Sequence, residues 1–269
     1  MEKNKMFPLV DTHCHLQDGR ISENLAPLMH EAYAAGVGFF VCCGSAEDDW
    51  EAVRAISLTW KGVIPFFGLH PFYVEGASPK WDQALGDMLV SLPGAGLGEA
   101  GLDGMAFPHT LENQEKVLIT QLRLARDLQR PVSLHCRRAW GRMLDILKKE
   151  GGLSHGGAFH AWSGSVDMVR EVERFGAHVG FSASLLRTAN KKVLLSAQAV
   201  SPDKMLIETD APDIPPPFVP NGINQPAFLR HTFSALSELR NLPEDVLAEQ
   251  LFINSRCFLS HLSGVDIQS

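Results

Sequence analysis

The sequence predicts a (β/α)8 barrel, the TIM-barrel form of α/β architecture, closed by an extra C-terminal helix. Three observations carry that fold class. Eight short β-forming runs alternate with helix-patterned stretches along the chain. The runs are continuously apolar rather than alternating, as strands of a parallel sheet covered on both faces must be. The length of 269 residues matches a single barrel, which takes about 250. Eight strand–helix units in one chain favour a closed barrel over an open sheet.

The elements follow in order. The first strand is read from Phe7 to Asp11, and the next helix carries Leu25, Leu28, Met29 and Ala32 at the i, i+3, i+4, i+7 spacing of an apolar stripe. Strands follow at Val37 to Cys43, Val63 to Leu69 and Ala95 to Glu99. Leu118, Leu122 and Ala125 stripe a further helix, ahead of strands at Pro131 to His135, Ala158 to Ala161, His178 to Phe181 and Met205 to Thr209. Between Ala211 and Pro226 the chain holds Pro212, Pro215, Pro216, Pro217, Pro220 and Pro226 and no Lys or Arg. Such a loop is stiff and partly extended, and it reads either as a wall of the active face or as a spacer. Leu229, Phe233 and Leu236 stripe the helix beyond it, and a last helix runs from about Glu244 to Leu262. No linker or repeat interrupts the pattern, so the expectation is one domain over residues 1–269.

Composition narrows the function classes. With 45% hydrophobic and 20% charged residues, the chain is neither disordered nor of low complexity. No apolar run approaches the roughly 20 residues that cross a bilayer, and the charged start of the chain lacks the apolar stretch of a secretion signal. The expectation is a cytoplasmic protein with no membrane association and no obligate protein partner. Lys and Arg number 24 against 31 Asp and Glu, a net charge of −7, which argues against a general DNA-coating protein. A nucleic-acid site in which metal ions supply the positive charge stays open. The five cysteines (Cys14, Cys42, Cys43, Cys136 and Cys257) form no CxxC pair, which argues against a disulfide framework or zinc ribbon and suits a reducing compartment.

Metal-type side chains gather where the strands end. His13 and His15 follow the first strand, and residues i and i+2 of an extended segment share a face, so both can reach one ion. His70 ends the third strand, Glu99 the fourth, His135 the fifth, His160 the sixth and Asp210 the eighth. All fall on the face where barrel enzymes do chemistry. A lone buried histidine is commonly a hydrogen-bonded core residue, but imidazoles and carboxylates collected in one barrel mouth are costly to desolvate without a cation among them. Four of these histidines (His13, His15, His135 and His160) and the two carboxylates suit Zn²⁺, Mn²⁺ or Mg²⁺ and exceed what one catalytic ion needs. Two divalent ions bridged by Glu99 are the economical arrangement.

The segments Val10-Asp11-Thr12-His13-Cys14-His15, Gly68-Leu69-His70-Pro71, Gly98-Glu99-Ala100-Gly101-Leu102-Asp103, His135-Cys136-Arg137, the His160 segment and Glu208-Thr209-Asp210-Ala211-Pro212 occur in the order typical of the TatD family. The chain resembles that family of the amidohydrolase superfamily, which contains metal-dependent deoxyribonucleases, from about residue 9 to residue 260. The resemblance implies a barrel with a dinuclear metal centre, phosphodiesterase chemistry, and His13, His15, Glu99, His135, His160 and Asp210 as ligands. Three departures bear on the substrate. Asp103 is followed by Gly104-Met105-Ala106-Phe107 in place of an aromatic pair; the sixth-strand motif reads His160-Ala161-Trp162-Ser163-Gly164; and Asn221 to Pro226 carries no basic run.

The mechanism expected from these residues has two ions lowering the pKa of a bound water toward about 7, with Asp210 orienting that water and taking its proton and Glu99 bridging. Arg137, Arg138 and Arg187 either grip phosphate or are solvated charges, with Arg137 set apart by its place in the family motif. His70 contacts a substrate phosphate, orients a neighbouring group or makes a core hydrogen bond. Trp162 and Phe107 either stack a base or pack. Asp103 is expected to orient a ligand or to cap a loop. The leading function is a metal-dependent hydrolase of the TatD type, an exonuclease on single-stranded DNA or RNA ends. The alternatives are a superfamily hydrolase of a small phosphoester, amide or ester, and a non-catalytic module on a retained barrel.

Overall fold

The computed structural model describes residues 7–106, 108–219, 222–265 and 267. Phe107, Pro220 and Asn221, singled out in the sequence, lie outside the described residues. Eight strands run parallel, each paired with the next in chain order: β1 Leu9–Cys14, β2 Val37–Cys43, β3 Val63–Phe67, β4 Gly96–Asp103, β5 Val132–Arg137, β6 Gly157–Phe159, β7 Ala177–Phe181 and β8 Met205–Ile207. The helices are α1 Gly19–Ser22, α2 Leu25–Ala34, α3 Trp50–Thr59, α4 Trp81–Ser91, α5 Leu111–Asp127, α6 Trp140–Glu150, α7 Val166–Arg174, α8 Lys191–Ala199, α9 Leu229–Arg240 and α10 Glu244–Phe258. This is a TIM barrel with an additional C-terminal helix. No helix among the described residues is long and apolar enough to cross a membrane.

Strand alternation splits the apolar residues into two layers. Phe40, Cys42, Phe67 and Leu97 pack outward with the stripes of the surrounding helices, including Met29, Leu118, Leu122, Phe233 and Leu236. Val10, Val41, Ile64, Phe66, Ala158 and Leu206 point inward and meet Phe252 and Phe258 of α10. The last helix therefore closes the barrel's N-terminal end, leaving the C-terminal mouth for chemistry.

The barrel closes between β1 and β8 through side-chain and backbone hydrogen bonds. Thr12 Oγ1 donates to the Ile207 carbonyl at 2.9 Å, and the Thr209 N–H donates to Asp11 Oδ1 at 2.8 Å. The Asp210 N–H reaches the His13 carbonyl at 2.9 Å, and the His15 N–H reaches Ala211 at 2.7 Å. The Asp-Thr-His segment and the Glu-Thr-Asp segment thus form one joint, and that joint sets where His13 and Asp210 stand.

Six strands end elsewhere than expected: β3, β6 and β8 stop early, at Phe67, Phe159 and Ile207, and three run on. β1 continues through Cys14, β4 through Asp103 and β5 through Arg137, so Glu99 is a mid-strand residue rather than a strand end. The register of β4 on β5 shifts between Leu97 and Ala100, which turns Glu99 inward. Gly98 and Gly101 flank it at φ 146° and 159°. A Cβ at Gly98 would meet Ser133, and one at Gly101 would collide with the His135 backbone. Both glycines are required for β4 to press against β5. Apolar runs mark the buried middle of a strand and miss its polar continuation.

The proline-rich loop is pinned by Asn224, whose buried amide donates to the carbonyls of Thr209, Asp213 and Ile214 at 2.7, 2.9 and 3.0 Å. Asp213 and Ile214 line the cavity at the mouth, so this loop is wall rather than spacer.

Candidate metal centre

Five histidines and two carboxylates converge at the mouth, where all but the fully buried His13 line a cavity of about 820 Å³. The His13 and His15 rings bring their Nε2 atoms within 3.2 Å of each other. Their far nitrogens are already engaged. His15 Nδ1 donates to the Cys43 carbonyl at 2.8 Å, so the neutral ring turns a bare Nε2 lone pair to the centre. His13 Nδ1 lies 2.8 Å from the Ser133 hydroxyl.

Glu99 divides the histidines into two sets. Its Oε2 is 3.3 Å from Nε2 of both His13 and His15. Its Oε1 is 2.8 Å from His160 Nε2, 3.1 Å from His135 Nδ1 and 3.2 Å from His70 Nε2. Asp210 Oδ1 stands between them, 3.7 Å from His13, 3.6 Å from His15 and 3.8 Å from His160 Nδ1.

Turned backbone aims two of these groups. Ala161, directly after His160, has φ 43°, and Asp210 has φ 61°, both in the left-handed region that side chains rarely adopt. The Ala161 N–H donates to the buried Glu208 carboxylate, and the Asp210 N–H to His13, so each turn is held by a hydrogen bond. His135 is held from behind, its Nε2 3.0 Å from Asp103 Oδ2, while Asp103 Oδ1 accepts the N–H groups of Met105 and Ala106 at 2.8 Å. Asp103 therefore orients His135 with Nδ1 toward Glu99, the support a ligating imidazole needs.

His70 differs in tautomer. Its Nδ1 accepts the Phe72 backbone N–H at 3.1 Å, so the neutral ring carries its proton on Nε2, facing Glu99. It offers the centre a hydrogen rather than a lone pair.

Charge and burial oppose each other throughout. Desolvation pushes His13 down to about 4, with His160 adding to it, and also lowers His70. Desolvation acts the same way on His15 and His135 but loses: Asp210 and Glu99 raise His15 well above its ordinary value, and Asp103 and Glu99 bring His135 up to about 9. Burial would raise Glu99, yet His70 and His160 hold it well below the usual carboxylate range. Asp210 also lies low against its burial, through His15 and His160. Protons are thus held where positive charge is demanded.

The donor set fits divalent cations. Imidazole nitrogens and carboxylate oxygens of the kind that bind Zn²⁺ or Mn²⁺ converge without a lysine or arginine among them. His160 Nδ1 is buried without a hydrogen-bond partner. Three groups have donor atoms within 4.8 Å of one another: His13, His160 and Asp210; His13, His15 and Glu99; His70, Glu99 and His135.

The expected substrate contacts fare unevenly. Arg137 lines the mouth, 47% exposed and 4.0 Å from Asp103. Trp162 does not face the mouth. The turn at Ala161 carries it into the outer layer, where it is buried 4.5 Å from the Trp140 ring. Arg187 lies outside the cavity lining and donates to the Pro215 carbonyl at 3.1 Å, anchoring the proline loop. Arg138 is exposed and also outside the lining. The sequence reading did not single out Ser133 or the rim aromatics Phe72 and Tyr73. Ser133 stands two residues before His135 on the same strand face, so alternation could have found it. Nothing in the local pattern marks Phe72 and Tyr73.

The family model described as TatD related DNase matches residues 10–260. The uncharacterized metal-dependent hydrolase YjjV of Escherichia coli K12 is 29% identical over 248 residues, covering 91% of this chain and 95% of the relative. Its crystal structure, described as a TatD homolog, superposes with a TM-score of 0.89 at 28% identity, covering 93% of this chain and 97% of that one. The 3'-5' ssDNA/RNA exonuclease TatD of Klebsiella pneumoniae is 28% identical over 266 residues, covering 96% and 99%. Human deoxyribonuclease TATDN3 is 30% identical over 223 residues, covering 77% and 79%.

Proposed function

Because the chain belongs to the family of TatD-related DNases, we propose that it is a metal-dependent nuclease cleaving phosphodiester bonds at an end of single-stranded DNA or RNA. The observation that carries this reading is Glu99, whose two oxygens face two separate sets of imidazole nitrogens. That division suits two divalent ions (Zn, Mn or Mg): His13 and His15 would hold one and His135 and His160 the other, with Glu99 and Asp210 supplying carboxylate oxygens. Ions bound there supply Lewis acidity toward a phosphoester and make water a better nucleophile at neutral pH.

The chain's own groups do the rest. Asp210, held as a carboxylate by His15 and His160, orients the attacking water and takes its proton. His70 donates its Nε2–H to a phosphoryl oxygen, and Arg137 meets the strand at the mouth. The nuclease names of the Klebsiella and human relatives support the substrate class. The reading places the activity in the cytoplasm, consistent with five cysteines that are all free thiols, and on one barrel domain over residues 1–269.

A second reading, hydrolysis of a small phosphoester, is favoured by the scarcity of cations at the mouth. Arg20 and Arg137 are the lysine or arginine residues lining the cavity, against Asp18, Asp49 and Asp213 on its rim. Cleavage of an end-labelled single strand separates the two. Metal-loaded protein is expected to give a ladder, and Asp210→Asn to slow it by about 10²–10⁴-fold while retaining bound metal. An intact strand, with a small phosphoester turned over by the same preparation, establishes the second reading instead.

A further inference from the structure

We propose that Phe72 and Tyr73 form a stacking platform for the nucleobase next to the scissile phosphate. This rests on the nuclease reading and adds how the strand is held. The mouth is poorly built to hold a polyanion by charge. Arg20 is engaged by Asp18 and Asp213 at 2.8 Å each, which leaves Arg137 as the lining arginine without a short ion pair. A single strand in such a cavity needs another source of affinity, and base–aromatic stacking supplies it independently of sequence and of net charge.

Two aromatic rings stand where that contact would form. Phe72 is 41% and Tyr73 49% exposed, and both line the cavity, whereas Trp50, Trp140 and Trp162 are buried. The Phe72 ring lies 4.5 Å from the His70 ring and 6.4 Å from that of His135, and Tyr73 lies 6.3 Å from His70. The platform therefore begins one ring away from the groups around Glu99, the reach of a base joined through its sugar to a phosphate at the centre. The segment is also fixed in place. The Tyr73 N–H donates to the His70 carbonyl at 2.9 Å, Glu75 accepts from Asn113 at 2.8 Å, and Ser78 donates its hydroxyl to Glu47 at 2.6 Å. A segment held this way loses little backbone freedom when a base docks on its rings.

The test compares two metal-loaded proteins, wild type and Phe72→Ala/Tyr73→Ala, on two end-labelled oligonucleotides that differ only in a natural or an abasic 3′-terminal residue. The wild type is expected to favour the natural end by about tenfold to a hundredfold in kcat/KM, the worth of one stacked base. In the double variant that ratio falls toward one. A 3′-terminal 2-aminopurine strand gives a second readout, its fluorescence quenched on binding to the wild type and not to the variant. A variant that slows both oligonucleotides equally, its preference and quenching intact, overturns the platform and leaves the nuclease standing. A wild type that cleaves neither overturns the nuclease reading and the platform with it.

Discussion

At the centre of the barrel, four of the five imidazoles are committed by what the far nitrogen touches, His160 being the exception. His135 turns Nδ1 inward because Asp103 holds Nε2, and His70 turns an N–H inward because the Phe72 amide occupies Nδ1. The two rings sit on the same oxygen of Glu99 yet can do different work. A ligand and a donor are told apart by substitution. His135→Gln is expected to lower bound metal together with the rate, whereas His70→Gln retains metal and loses about 10²–10³-fold in kcat, the worth of one aligned donor on a developing oxyanion. Metal content by plasma mass spectrometry, read alongside turnover, checks both. Metal loss in His70→Gln equal to that in His135→Gln would make His70 a ligand. Asp103, two bonds removed from chemistry, carries a smaller expectation: Asp103→Asn weakens metal retention by about 10–100-fold.

Strands and their joints decide whether those residues meet at all. Gly101 allows β4 to approach β5 so closely that an added Cβ collides with the His135 backbone, and its φ of 159° disfavours a side chain in any case. Gly101→Ala is therefore expected to cost about 1–3 kcal/mol or more, lowering Tm by several degrees, and to displace His135 with it. Thermal unfolding followed with metal titration checks this; an unchanged Tm would mean that β4 shifts without resistance. The same joint shows what the sequence could reveal. Apolar runs placed all eight strands, and the i, i+2 spacing of His13 and His15 put them on one face, because alternation and burial are written locally. The inward turn of Glu99 was not legible, since it comes from a shift of register between two strands that pair Leu97 with Val132 and Ala100 with Leu134. Trp162 lies buried outside the cavity lining for a related reason. Its direction is set by the turned backbone at Ala161, which the Glu208 carboxylate holds from β8's end of the chain, 47 residues away. Phe72 and Tyr73 read as ordinary apolar residues because exposure at a rim is a property of the assembled mouth.

The molecule as a whole separates chemistry at one end from stability at the other, the usual division of a barrel. His178 belongs to the second end. It stands on β7, where its ring lies 6.0 Å from Phe258 of the closing helix and its Nδ1 is 3.3 Å from the Gly157 carbonyl, while Nε2 is buried without a partner. Burial, with Lys204 adding to it and Asp203 opposing, lowers its pKa from 6.5 to about 4. The sign follows from where the proton goes. Above pH 6.5 the ring is neutral in both folded and unfolded chains, and its contribution to stability is fully present. Between pH 6.5 and about 4 the unfolded chain takes a proton that the folded one refuses, so stability falls as the pH falls, by about 3 kcal/mol over the whole window. Acid also strips metal from the mouth, so the loss in wild type alone does not isolate His178. His178→Gln leaves the mouth untouched and removes only the ring's titration. Urea unfolding of both proteins at about pH 7 and about pH 4.5 is expected to show the wild type losing about 2–3 kcal/mol more than the variant between the two conditions. Equal losses would mean that the barrel floor opens enough for His178 to keep its proton in the folded state, and that acid unfolding begins at the mouth alone.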